Sequence, residues 1–253
     1  MLRKFKFTSI AIGIIILFLI VTFQFIDDDS WDSWNLPLTG KVIILDAGHG
    51  GPDGGADAAG VVEKEIALSV TEKLRDYLQQ QGALVIMTRE KDTDLAREDT
   101  EGIRNRKRED LRKRVELINE SEADLFISLH LNSFPSSRWS GAQTFYSLRY
   151  EENERVAKFI QRELRDNLGN TTREARPIGN VYLMKYAKKP GVLVEVGFLS
   201  NTVERNNLTS KVYQNQIAAS IYKGVMRYFT EKKYVQADDK GSAVFTLPIE
   251  NEN

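Results

Sequence analysis

From Gly40 onward the chain alternates short β-rich runs with apolar stripes at helical spacing, and that alternation commits it to a sheet with helices packed on it. The strand candidates cover residues 41–47, 83–88, 124–131, 143–148 and 192–198. Between them Ile66, Val70, Leu74 and Leu78 recur every four residues, and the stripe stops at Gly82, where a helix-ending glycine is expected. Val156, Ile160, Leu164 and Leu168 make a second stripe, and Ile217, Ile221, Val225 and Phe229 a third. Leu111, Val115 and Ile118 point to a further helix. These faces are read as core rather than cofactor contacts. The tail from Val235 onward carries no periodic pattern long enough to define an element.

The first forty residues follow a different rule. Arg3, Lys4 and Lys6 precede 20 uncharged residues, 7–26, and Asp27, Asp28 and Asp29 follow them. At 1.5 Å per residue such a stretch spans roughly 30 Å of hydrocarbon. The charge order places the N-terminus inside and the rest of the chain outside. No A-x-A-like cleavage site follows, so an uncleaved signal-anchor is favoured over a secretory signal, which remains the alternative. Trp31, Trp34 and Pro37 give the next segment the character of an interfacial tether. The expected organisation is 1–26 as cytoplasmic tip and transmembrane anchor, 27–40 as tether, 41–232 as the outer domain and 233–253 as tail. The expected fold class is α/β, a single twisted, mostly parallel sheet flanked by helices and preceded by an N-terminal transmembrane helix.

Composition removes several chemistries. The net charge is -1 with both signs interspersed, which supplies no basic surface for nucleic acid. Cysteine is absent, so thiol nucleophiles, disulfides and Cys-based zinc sites are excluded. Typical histidine usage of roughly 2% would put about five in a chain this long. Only His49 and His130 are present.

His49 follows the apolar run 42–45 within a glycine-rich segment, and His130 ends the run 125–129. Loops at the carboxyl ends of strands are where open α/β sheets gather functional groups, so both histidines can reach one sheet edge. Glu195 interrupts the apolar run 192–198, where a lone carboxylate would cost several kcal/mol to desolvate. A buried ion pair with an arginine is its structural reading, and a catalytic role the stronger one. Glu63 opens the first helix, where a carboxylate complements the helix dipole. It becomes a ligand candidate because the loop 48–60 joins the His49 strand to that helix. Two histidines and one carboxylate form a known catalytic zinc set with a position left for water. Neither HExxH, HxxEH, G-x-S-x-G nor a suitably placed G-x-G-x-x-G occurs. Between Arg89 and Arg114 lie ten basic and eight acidic residues, read either as a solvated loop and helix face or as a flap or docking surface.

Four blocks, Asp46-Ala47-Gly48-His49-Gly50-Gly51-Pro52-Asp53, Glu63-Lys64-Glu65, Ser128-Leu129-His130-Leu131-Asn132 and Val194-Glu195-Val196-Gly197-Phe198-Leu199-Ser200-Asn201, resemble the signature blocks of the zinc-dependent N-acetylmuramoyl-L-alanine amidases of the type 3 class. They fall in the family order over about residues 41 to 230. The resemblance implies that His49, Glu63 and His130 bind zinc, that Glu195 is the catalytic glutamate, and that peptidoglycan is the substrate. Arg89 and Arg114 also look like family positions, with a longer stretch between them than the family leads one to expect. The short anchor, the segment 82–90 and Trp139-Ser140-Gly141-Ala142-Gln143 are similar to the germination branch of that family in endospore-forming bacteria. That branch implies action on spore cortex outside the cytoplasmic membrane, functionally coupled to a peptidoglycan deacetylase that completes muramic-δ-lactam. The competing classes are a glycan-binding module without turnover and a zinc hydrolase cutting another bond of the same polymer.

Overall fold

The computed structural model describes residues 14–18, 36–231, 235–237 and 243–245. The elements, in chain order, are β1 (Val42–Ala47), β2 (Asp57–Ala58), β3 (Val61–Val62), α1 (Glu63–Gln80), β4 (Leu84–Met87), α2 (Ile103–Glu120), β5 (Leu125–Asn132) and β6 (Gln143–Tyr146). Then come α3 (Glu151–Leu168), β7 (Arg176–Pro177), α4 (Tyr182–Tyr186), β8 (Gly191–Phe198), α5 (Thr202–Leu208), α6 (Lys211–Thr230), β9 (Val235–Ala237) and β10 (Ala243–Phe245). Six strands form one sheet in the order β4-β1-β5-β8-β6-β7. The first four are mutually parallel, and β6 reverses direction against β8. A mostly parallel sheet flanked by helices is therefore what the alternating pattern builds.

Side chains on a strand alternate between faces, and the two faces of this sheet bury different helices. Ile43 and Leu45 of β1, Leu125, Ile127 and Leu129 of β5, and Val192 and Val194 of β8 join the larger core. That core includes Ile66, Val70, Leu74 and Leu78 of α1, Val156, Ile160 and Leu164 of α3, and Ile217, Ile221 and Val225 of α6. The intervening residues Ile44, Phe126 and Leu193 meet Val115 and Ile118 of α2 and Leu183 and Met184 of α4 in a second, smaller core. Helix α3 crosses α6 so closely that a Cβ on Gly224 would lie 2.5 Å from the Ile160 Cα. Gly82, with φ 89°, lies just past the end of α1, where the stripe called for it.

Five features escaped the periodicity reading. The β2–β3 hairpin and β7 are two residues per strand and α4 is five residues long, too short for a repeat to register. Helix α5 is preceded by Asn201, whose side chain accepts hydrogen bonds from the Val203 and Glu204 amides. In the tail, β9 and β10 pair antiparallel. Of the apolar stretch 7–26 only residues 14–18 are described; they are helical and exposed, and the rest of the expected transmembrane segment and most of the tether lie outside the described residues. Among the described residues no helix is long and apolar enough to cross a membrane.

Candidate metal centre

The alternation that divides the cores also builds the site. One step beyond Ile44, Phe126 and Leu193 on the same sheet face come Asp46, Ser128 and Glu195, and one step beyond Ser128 comes His130. Parallel register sets His130 directly beside Glu195. The ladder is irregular between His130 and Asn132, and there the Leu131 N–H donates to Glu63 Oε1 at 2.9 Å.

The helix-dipole reading of Glu63 is too small for what its carboxylate does. Oε1 lies 3.0 Å from His130 Nδ1 and 3.2 Å from His49 Nε2, while Oε2 accepts the Ala56 N–H at 2.8 Å. One ligand atom from each of His49, Glu63 and His130 lies within 4.8 Å of the others. The imidazole rings meet edge to face, 4.9 Å between centroids. Glu65, the next carboxylate along α1, is exposed.

Glycine makes the close approach feasible. A Cβ on Gly48 would lie 2.5 Å from the His130 ring, and one on Gly55 2.6 Å from Glu63 Oε2 and 2.7 Å from the His49 ring. His49 itself takes a left-handed backbone, φ 62°, which L-residues tolerate only when the surroundings hold them there. Two arginines do the holding. Arg89 donates to the carbonyls of Ala47, Gly48, Lys64 and Lys91 at 2.8 to 3.0 Å. Arg114 donates to the carbonyls of Ala47 and His49 and to the carboxylates of Asp46 and Asp110. Asp46 in turn accepts from Thr88 and Ser128. The charged stretch between Arg89 and Arg114 is therefore divided: Arg89, Asp110 and Arg114 are buried behind the His49 loop, and most of the rest faces solvent.

His49 Nδ1–H donates to Asp53 Oδ2 at 2.9 Å, and Asp53 is also paired with Lys107 at 3.0 Å. With the proton on Nδ1, the Nε2 lone pair faces the Glu63 carboxylate. Two acceptors at 3.2 Å repel unless a proton or a cation lies between them, so the donor set fits a bound metal. Burial disfavours a charged His49, but the hydrogen bonds to Asp53 and Glu63 outweigh it and raise its pKa to about 9. Burial likewise works against the Glu63 carboxylate, and the two imidazoles nevertheless hold it well below the usual range.

Glu195 faces this cluster from the neighbouring strand. The side chain is partly exposed, yet its Oε2 is fully covered and has no hydrogen-bond partner. Burial pushes its pKa up to about 7; His130 and His49 draw it down and Glu63 adds to the rise. No arginine pairs with it among the described residues, so the buried-ion-pair reading does not describe this carboxylate. Asp53 and Asp46 were not singled out as functional from the sequence; the spacing of Asp53 four residues after His49 is the one linear signal that could have done so.

A mostly parallel sheet with two histidines and a carboxylate converging beside a second carboxylate, one of whose oxygens is fully covered, suits a metal-dependent hydrolase. The chain belongs to the N-acetylmuramoyl-L-alanine amidase family, whose model matches residues 43–227. It is 59% identical to the germination-specific N-acetylmuramoyl-L-alanine amidase of Bacillus subtilis (strain 168), over 92% of this chain and 98% of that protein. It is 33% identical to the amidase LytC of the same organism, over 76% of this chain and 36% of that longer protein. Among solved structures it resembles the CwlD amidase from Clostridioides difficile, determined in complex with the GerS lipoprotein, with TM-score 0.74 and 42% identity, covering 76% of this chain and all of that one.

Proposed function

We propose that this protein hydrolyses the amide joining the lactyl group of N-acetylmuramic acid to L-alanine in peptidoglycan, and that its substrate is spore cortex destined for muramic-δ-lactam. The observation that carries the reading is the convergence of His49, Glu63 and His130 opposite the unpartnered Oε2 of Glu195. The family membership and the 59% identity to a germination-specific amidase support the bond and the setting.

His49, Glu63 and His130 would hold zinc, which when bound supplies a Lewis acid that polarises the amide carbonyl and acidifies water. Asp53 keeps the His49 proton on Nδ1 and so keeps Nε2 available as a donor atom. Arg114 and Arg89 fix the loop that presents His49. Glu195 accepts the proton of the attacking water and returns it to the nitrogen of the leaving L-alanyl peptide. Among the described residues no hydrogen bond or ion pair ties down its Oε2, which leaves that oxygen free for the exchange.

In the same reading, residues 1–26 anchor the chain in the membrane, 27–40 tether it, 41–232 are the catalytic domain on the extracytoplasmic side, and 233–253 are a tail. A peptidoglycan deacetylase would act on the product. The test is Glu195→Gln, which keeps shape and removes the proton acceptor. Zinc content should remain at about one per chain, while release of free peptide from muropeptides, followed by mass spectrometry, should fall by about 10² to 10⁴. A variant with normal turnover, or wild-type fragments still carrying peptide on muramic acid, would sink the proposal.

A further inference from the structure

Past His130 the chain leaves β5 and forms a loop on which Phe134 and Trp139 stand out to solvent, 49% and 40% exposed. The loop is tied down at several points. The Phe134 N–H donates to Ser200 Oγ, Asn201 Nδ2 to the Ser137 carbonyl and Arg173 Nε to the Ser140 carbonyl. The Phe134 ring rests on the buried Phe198 ring at 5.8 Å and meets Trp139 at 6.4 Å. Holding two aromatic rings in water on an ordered loop costs hydrophobic free energy, so the fold gains nothing from their exposure.

Two guanidinium groups lie against this ledge. Arg138 is 4.8 Å from the centre of the Trp139 ring, and Arg173 lies 5.7 Å from Trp139 and 5.1 Å from Phe198. Among the described residues neither has a carboxylate within ion-pair distance; Arg173 donates instead to the Ser140 carbonyl and to Gln143 Oε1. Gln143 is the register partner of Glu195 across β6 and β8. Phe198 ends the strand that carries Glu195, three residues or roughly 10 Å further on. The ledge therefore lies on the rim of the metal centre and, among the described residues, offers two cations without a direct ion pair beside apolar surface.

The charge selects the ligand. In a muramoyl-peptide the N-acetylated sugars are neutral, and the lactyl carboxyl is consumed in the scissile amide. Carboxylates belong to the peptide. We infer that Phe134, Trp139, Arg138 and Arg173 form a substrate subsite for the peptide side of the scissile bond, with a free carboxylate of the acidic stem peptide on the guanidinium pair and its aliphatic part against the rings. This inference rests on the amidase reading above.

The test compares two synthetic muramoyl-L-alanyl peptides that differ only in whether the residue after alanine bears a free carboxylate or a carboxamide. The wild-type chain should prefer the carboxylate by about tenfold in kcat/KM, chiefly through KM. Arg138→Gln should bring the two substrates to within about twofold of each other, and Arg138→Lys should restore part of the preference. Trp139→Ala should raise KM for both. A merely structural Arg138 would change both rates together and leave their ratio intact, which would overturn the inference. Equal wild-type rates on the two peptides would overturn it too while leaving the amidase reading standing. Cleavage of neither peptide would remove the amidase reading and the subsite with it.

Discussion

At the scale of single residues, the property that organises the site is which atom of His49 keeps its lone pair. The left-handed backbone at φ 62° turns the ring inward, and Asp53 then takes the Nδ1 proton, so Nε2 faces Glu63. Carboxylates behind metal-bound histidines typically contribute 10 to 100-fold to metal affinity. Asp53→Asn should accordingly weaken zinc binding by about that factor in a competition titration with a chelator, with the secondary structure unchanged. Unaltered affinity would mean that Asp53 only closes the loop. Both histidines and Glu195 were visible in the sequence because a scarce residue type and a charge inside an apolar strand are each improbable. Asp53 was not, since an aspartate in a glycine-rich loop is ordinary until its distance to an imidazole is known.

At the scale of elements, α2 acts as a brace for the β1–α1 connection. Arg114, buried on α2, reaches Asp46 at 2.7 Å and the His49 carbonyl at 2.6 Å. Breaking such a buried pair by removing one partner costs about 3 to 5 kcal/mol, because the remaining charge is left uncompensated. Asp46→Asn should therefore lower stability by that order in urea unfolding. The pH dependence has a definite sign. Burial opposes the charge on Asp46, but Arg114, His130 and the Ser128 hydroxyl bring its pKa below the usual 3.8. A depressed carboxylate contributes stability above its unfolded value and loses it as pH falls through the folded one. The wild type should thus lose stability below about pH 3.8, and the Asn variant should show a flatter acid limb. Parallel acid limbs would show that Asp46 is not the titrating brace. Periodicity revealed α2 through Leu111, Val115 and Ile118, yet it treated Arg114 as one charge among eighteen, because burial of a charge is not written in spacing.

At the scale of the whole molecule, the proposed reaction depends on where the domain is held. The apolar stretch 7–26 with basic residues before it and acidic residues after it motivates the proposal of an uncleaved anchor. Cells expressing the full chain should yield it in the membrane fraction with Met1 or Leu2 at its N-terminus; a soluble protein beginning near Asp27 would refute the anchor. The sequence by itself determined the layered α/β class, the core stripes of the four long helices, five of the six strands of the main sheet, and the two histidines and Glu195. Those features follow from local periodicity and from the cost of burying charge, and both can be read along a line. Only the tertiary structure decided that β6 runs antiparallel to β8, that Glu63 rather than the exposed Glu65 turns toward the histidines, and that Glu195 has no arginine partner. Those outcomes depend on strand order, on the register that sets His130 beside Glu195, and on which side chains approach across residues far apart in the chain, and none of these distances is fixed by local sequence.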